Sequence, residues 1–570
     1  ARVEAHALAH EREPGRVGLA PDELHEPRRP RARGTHGVDQ RVAGLEQRLA
    51  DDARERGAGL ESDARRRRLE LGRAELVGRR VDEVAGEPDR LGEERRPCPR
   101  PRVVVPALAL FLLPFMGPWQ LPNEITLFLR SAKRFVHNPA LAAIQHTDTP
   151  LRYPFFKTPE PTLPPIFPPE RRPSVFIVLM ESFSSDFVEK REVNGTEITP
   201  FFNSLIPKGA YHKLFFANSM QTERGQTASM CSMIPSFRRK VMTTYMHDHF
   251  LCLPEVMRSA GYATLWAQGH PDLKFDNVGA FMRKVGFDQT IAMNSDFLTE
   301  EDREFKWGWG LQDDRFFKKT FAYIDKMDRD PGKPLFCVMA TISHHMNFDS
   351  MPERLRAIYP KPKNYREHFV NSLHLADGYL RTFFEELERR EDLRDSLVLL
   401  FGDHGYPTGQ HGFTSNEISF YNENFHVPLL VLGPKVEPFV NSTIAYSQLD
   451  IAPSLMEWLG IVRPVPFVGV PIAFRAADLP TTQHGIPLIQ PYDGGYLGSL
   501  RYPYKYVRSL NTDDEWLFNL EEDPHEHTNL LPDWGNLREP MPTLVRDLAD
   551  IYLNQRLLDE DRFIPSEKRK

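Results

Sequence analysis

Residues 174–180 read SVFIVLM and run straight into Glu181-Ser182. A strand with one wet face would alternate apolar and polar residues. A continuous apolar run rich in β-branched side chains marks a strand buried on both faces. The runs at 262–267, 334–340, 396–401 and 427–432 share the pattern. Helical periodicity separates them, over 200–206, 253–260, 315–327, 365–390 and 448–459. Strands alternating with helices predict an α/β fold, a largely parallel central sheet with helices on both faces. Ligands of such sheets bind beyond the carboxyl ends of the strands.

Polar residues collect at those ends. The first strand runs into Glu181-Ser182, the third into Thr341-Ile342-Ser343-His344-His345, and the fourth into Gly402-Asp403-His404-Gly405. Gln221-Thr222-Glu223-Arg224-Gly225 lies between the first two strands. A Glu, an Asp and a His form an O/O/N ligand set suited to Mn, Mg or Zn. A metal there would make a coordinated hydroxyl a nucleophile and offset charge on a transferred phosphoryl or sulfuryl group.

In this order and spacing the motifs resemble the alkaline phosphatase superfamily, in the lipoteichoic acid synthase-like (phosphoglycerol transferase) branch of the sulfatase-like proteins. The resemblance covers 174–462. Met180-Glu181-Ser182 is similar to the family's metal-binding Glu segment, and residues 215–235, FFANSMQTERGQTASMCSMIP, to its nucleophile segment. Phe275-Asp276-Asn277, Trp309-Gly310 with Asp313 or Asp314, Ser343-His344-His345 and Gly402-Asp403-His404 are similar to later motifs in the same order. The resemblance implies that Glu181, Thr222, Asp403 and His404 hold one divalent metal, manganese first, with magnesium, calcium or zinc as alternatives. It makes Thr222 the nucleophile and His345 a catalytic, substrate-contacting residue that steadies a phosphate oxygen or protonates the leaving alcohol, a role that His411, in Gly409-Gln410-His411-Gly412, is expected to share. A different register, Gly-Gln-Thr-Ala, selects Thr227 instead; Thr222 is preferred because it aligns Cys231-Ser232 and Pro235 without a gap. Related synthases carry a Trp and an Arg where this chain has Asp276-Asn277-Val278, which leaves a glycerol-phosphate donor open.

The expected function is a metal-dependent phosphoryl or phosphodiester transferase or hydrolase acting on a phosphate or sulfate ester, lipid- or glycan-linked. One alternative is a sulfatase, because residues 516–530 resemble the DP-x-E-x-x-N-L ending of that group. Against it, Cys231 has Pro235 at +4 and Arg238 at +7, not the C/S-x-P-x-R spacing of a formylglycine site. A second alternative is a non-catalytic envelope binding protein with the same fold.

Outside this region the chain changes character. Residues 1–100 hold 22 Arg and 21 Asp plus Glu but no Phe, Tyr, Trp, Ile, Lys, Met or Asn. Such a stretch has little to bury. Segment 1–102 is expected to be low-complexity and without a core, a mis-called start or an out-of-frame extension. Residues 103–119, VVVPALALFLLPFMGPW, are uncharged and read as a single membrane anchor at the short limit for a span, with a signal-like segment after a false start and a buried core segment as the alternatives. A linker, 120–173, ends in a Pro-rich stretch with nine prolines between 150 and 173, expected to be extended and coreless. The catalytic domain is expected over 174–475, and a C-terminal subdomain with a small antiparallel sheet and a helix over 476–570. Net charge of −7 gives no reason to expect a nucleic-acid partner. Four cysteines exclude a disulfide scaffold, and their spacing indicates no pair. With the anchor, the catalytic domain belongs outside the cytoplasm. Asn194-Gly-Thr and Asn441-Ser-Thr are sequons by pattern.

Overall fold

The stretch that opens the domain forms strand β1, Val175–Met180. Its side chains divide by parity. Val175, Ile177 and Leu179 enter one hydrophobic cluster, and Phe176, Val178 and Met180 the other. Alternate side chains of a strand point to opposite faces, so a strand that feeds two cores must be apolar throughout. The computed structural model describes residues 153–569, apart from 193, 331, 493–494, 513 and 535–538. The expected coreless segment 1–102, the expected anchor 103–119 and the linker as far as 152 lie outside the described residues. Among the described residues no helix is long and apolar enough to cross a membrane.

The other strands along the central sheet are β2 (Ala210–Phe216), β3 (Ala263–Gln268), β4 (Gln289–Ala292), β5 (Leu335–Ala340), β6 (Leu397–Gly402), β7 (His426–Leu432) and β8 (Phe439–Asn441), with a two-residue strand, Tyr446–Ser447, also paired to β2. Across the sheet they run β8-β2-β7-β6-β1-β5-β3-β4. β1 lies parallel to β5 on one side and β6 on the other, and β3 is parallel to β4 and β5. β7 runs antiparallel to both β2 and β6, so the sheet is mixed although mostly parallel. β2, AYHKLFF, lacks the continuous apolar run of the others: Lys213 is exposed in its middle, and no simple periodicity marks it.

Helices cover both faces. On one side lie α5 (Asp313–Ile324) and α6 (Tyr365–Glu388), bringing Phe316, Phe317, Phe321, Phe369 and Phe383, together with α1 (Pro200–Leu205). On the other lie α2 (Thr222–Cys231), α3 (Leu253–Ser259), α4 (Val278–Lys284) and α7 (Ile451–Trp458).

A four-stranded antiparallel sheet follows, in the order β9 (Ile486–Gln490), β10 (Tyr496–Arg501), β11 (Tyr504–Ser509) and β12 (Glu515–Asn519). Helix α8, Met541–Asp559, places Leu544, Leu548 and Ile551 against Leu497, Tyr506 and Leu517 on one face. The opposite face, with Leu488, Leu500, Val507 and Phe518, packs on Phe216, Phe420 and Phe425. This sheet also grips the chain just before Thr222: Asn218 Nδ2 donates to Pro487 O at 2.9 Å and Ser219 Oγ to Ile489 O at 2.7 Å.

Three expectations need amendment. The Pro-rich end of the linker is not coreless, because Phe167 is 2% exposed and its N–H donates to Trp458 O at 2.8 Å. Asn441 is buried, with its amide bonded to Ile444 O at 2.7 Å, so it cannot serve as a glycan acceptor; Asn194 is exposed. Cys231 and Cys252, unremarkable in spacing, form a disulfide that ties the end of α2 to the start of α3. The loop it closes spans 21 residues, for which chain entropy implies about 3 kcal/mol of stabilisation. Cys231→Ala/Cys252→Ala should lose about that much in urea unfolding, and reductant should destabilise the native protein but leave the double variant unchanged.

Candidate active site

Glu181 follows β1 and Asp403-His404 follow β6, and the register sets Met180 beside Gly402. Neighbouring parallel strands therefore deliver their polar continuations to one point. One ligand atom from each of Glu181, Asp403 and His404 lies within 4.8 Å of the others, and all three residues are buried.

Their hydrogen bonds leave one inward atom, Asp403 Oδ2, without a partner among the described residues. His404 Nδ1 lies 2.8 Å from Gly405 O, which assigns the proton to Nδ1 and leaves a lone pair on Nε2. That Nε2 is 3.7 Å from a carboxylate oxygen of both Glu181 and Asp403. Asp403 Oδ1 accepts from the Ser182 N–H at 2.9 Å and the His404 N–H at 2.7 Å. Asp403 Oδ2 is buried with no hydrogen-bond partner among the described residues. Glu181 Oε1 accepts from Ser182 Oγ at 2.7 Å. Burial first, and then the charge of Asp403, push the Glu181 carboxyl up to about 8. An orphaned carboxylate oxygen, a raised carboxyl and an imidazole nitrogen turned toward both carboxylates fit a bound divalent cation, which supplies the missing charge.

Thr222 is the first residue of α2. Its Oγ1 lies 3.3 Å from Glu181 Oε2 and 3.5 Å from His404 Nε2. Helix α2 can come this close because position 225 is glycine: a Cβ there would stand 2.5 Å from the Asp403 carbonyl oxygen. The same carbonyl is held by Gln448 Nε2 at 2.7 Å. Thr227 is not brought to the cluster. It is 1% exposed, and its hydroxyl donates to Glu223 O at 2.9 Å along its own helix.

His345 is half-buried after β5, with its ring 4.5 Å from that of Trp309. Its Nδ1 lies 2.6 Å from Met346 O, and burial lowers its pKa. Asp313 braces this turn, accepting the Ile342 N–H at 2.9 Å and the Ser343 N–H at 3.1 Å. Of the two aspartates considered after Trp309-Gly310, Asp313 is therefore the one that bonds this turn. His344 turns away to Ser372 Oγ at 3.0 Å. His411 is outside the three-residue cluster; its Nδ1 faces Glu423 Oε1 at 2.5 Å and its ring stacks on Tyr421 at 3.6 Å. Asp276 is tied to Lys240 at 2.5 Å, beside the exposed Phe275.

Sequence reasoning passed over Ser182, Gln448 and Glu423. Ser182 carried a signal, since a hydroxyl directly after a buried Glu is placed to satisfy it. Gln448 and Glu423 carried none, because their partners are 45 and 12 residues away.

A raised carboxyl has a consequence for stability. Without metal, the contribution of Glu181 is fully present below its unfolded pKa and is lost as the pH rises toward about 8. A cation reverses that loss, so the gain in Tm on adding Mn2+ should grow between about pH 5 and about pH 8. Calorimetry with and without chelator checks this, and Glu181→Gln should remove most of the gain.

Comparison with known proteins agrees with this geometry. The sulfatase family model matches residues 173–461, half of the chain. Lipoteichoic acid synthase-like YvgJ of Bacillus subtilis (strain 168) is 25% identical over 305 residues, covering 50% of this chain and 47% of that protein. A choline-sulfatase of Rhizobium meliloti (strain 1021) is 30% identical over 229 residues, covering 38% and 41%. The chain spans about half the length of the curated synthases it matches. The crystal structure of a protein in the alkaline phosphatase superfamily from Vibrio parahaemolyticus superposes with a TM-score of 0.58 at 20% identity, over 79% of this chain and 99% of that one. With the strand-end cluster, fold and family model in agreement, the chain belongs to the sulfatase family, has lipoteichoic acid synthase-like proteins among its relatives, and shares its fold with a protein of the alkaline phosphatase superfamily.

Proposed function

We propose that this protein transfers or hydrolyses phosphoryl or phosphodiester groups with Thr222 as the nucleophile and manganese as the metal. The observation that carries this reading is the Thr222 hydroxyl, 3.3 Å from Glu181 and 3.5 Å from His404, at the first turn of a helix. When bound by Glu181, Asp403, His404 and Thr222, a divalent ion supplies positive charge that acidifies the hydroxyl and offsets charge on the transferred group. Thr222 Oγ1 then bonds to phosphorus as its proton passes to solvent and the ester P–O bond breaks. Water or an acceptor alcohol attacks the phosphothreonine in a second step and frees Thr222. As a neutral ring with Nδ1–H spent on Met346 O, His345 has Nε2 left to accept a hydrogen bond from a hydroxyl of the substrate.

One structural fact weighs against the sulfatase alternative. Cys231 is the sole cysteine of the nucleophile segment, and its sulfur is bonded to Cys252, so it is not free to become formylglycine. The same disulfide favours an oxidising compartment, in keeping with a catalytic domain outside the cytoplasm. A single anchor at 103–119 and a lipid- or glycan-linked ester complete the proposal.

Full-length protein should hydrolyse p-nitrophenyl phosphate or its bis-ester with Mn2+ and lose activity with chelator. Thr222→Ala should lower kcat by about a thousandfold or more while Tm changes little. Retained activity in that variant would move the nucleophile to Thr227. Turnover of p-nitrophenyl sulfate alone would favour the sulfatase reading, and absence of bound metal would favour the binding protein.

A further inference from the structure

Three histidines follow the ends of β5 and β6, and the partner of Nδ1 sets one of them apart from the other two. His404 and His345 face carbonyl oxygens, those of Gly405 and Met346. His411 faces a carboxylate, Glu423, at 2.5 Å, and both side chains are largely buried. A carbonyl holds one proton on a neutral ring; a carboxylate also balances the charge of a doubly protonated one. His411 Nε2 is buried and has no hydrogen-bond partner among the described residues.

The pair is built into the wall that carries the metal ligands. Gly405, next to His404, donates its N–H to Asn424 O at 2.9 Å, and a Cβ on it would stand 2.1 Å from Glu423 O. Asn416, on the same loop, donates to Met220 O at 3.1 Å, two residues before Thr222. The C-terminal subdomain then fixes this loop. Lys505 on β11 is fully buried; it meets Glu526 at 2.7 Å and donates to Phe420 O and Asn422 Oδ1 at 2.9 Å each. Glu526 accepts the Asn422 N–H at 2.6 Å. Glu423, the next residue, is thereby held against His411. Burying an ion pair is costly unless its geometry is met in full, and here both members are spent on the loop backbone.

We propose that His411 is the proton donor to the leaving alcohol, that Glu423 is its positioning residue, and that Lys505 and Glu526 clamp the loop that aligns them. This rests on the phosphoryl-transfer reading above. As the Thr222 Oγ–P bond forms and the ester P–O bond breaks, the Nε2 proton moves to the departing oxygen, which leaves as a neutral alcohol. The neutral ring then takes the proton of the water or alcohol that attacks the phosphothreonine, and Thr222 recovers a proton from solvent. The substrate this favours is an ester of an ordinary alkyl alcohol, a sugar or glycerol hydroxyl, whose alkoxide leaves poorly without a proton.

The test compares full-length native protein, Glu423→Gln and His411→Gln, with Mn2+, on p-nitrophenyl phosphate and on an alkyl phosphate such as glycerol phosphate. Both variants should lose about a hundredfold in kcat on the alkyl ester, at least tenfold more than on the nitrophenyl ester, with KM and metal content little changed. The double variant should lose no more than either single one, and Glu423→Asp should recover part of the loss. Equal losses on both substrates, or additive losses, overturn the assignment. If the native protein turns over neither ester, the phosphoryl-transfer reading falls and this one with it.

Discussion

Two carboxylates and an imidazole, buried together at the ends of adjacent strands, set the terms for the rest of the molecule. Charge in a low-dielectric interior must be balanced. Here Asp403 keeps one oxygen without a partner, and Glu181 is pushed toward its neutral form by burial and by its neighbour. Ser182 serves both carboxylates, its hydroxyl bonding Glu181 and its N–H bonding Asp403, and so fixes their separation. Such a group of residues persists in a folded protein where a cation completes it.

The supports around that centre follow from the same demand. Gly225 lets the helix of Thr222 touch the Asp403 backbone, and Gln448 occupies the carbonyls of Gly402 and Asp403. Asp313 holds the turn before His345. The antiparallel sheet grips Asn218 and Ser219 from one side and, through Lys505 and Glu526, the loop at 420–424 from another. The antiparallel sheet thus bears on the segments around the centre without contributing to the three-residue cluster.

Much of this was legible in the chain. Doubly buried strands are apolar without interruption, so 174–180, 334–340 and 396–401 identify themselves, and the polar residues that follow them must meet beyond the sheet. β2 escaped because exposed Lys213 interrupts it. The choice between Thr222 and Thr227 depended on a register of motifs; the helix geometry separates them physically, since five residues along α2 carry the second hydroxyl away from the cluster and into a bond with its own backbone.

The sequence by itself determined the α/β class and the strand ends that supply Glu181, Asp403 and His404. These follow from local patterns: apolar continuity, and polar punctuation directly after it. Only the tertiary structure decided the Cys231–Cys252 bond, the pairing of His411 with Glu423, and the hold of Lys505 on the loop between them. Those contacts join residues whose spacing has no period. They exist because the helices and the second sheet fold back onto one end of the central sheet, where satisfying buried polar groups leaves few arrangements open.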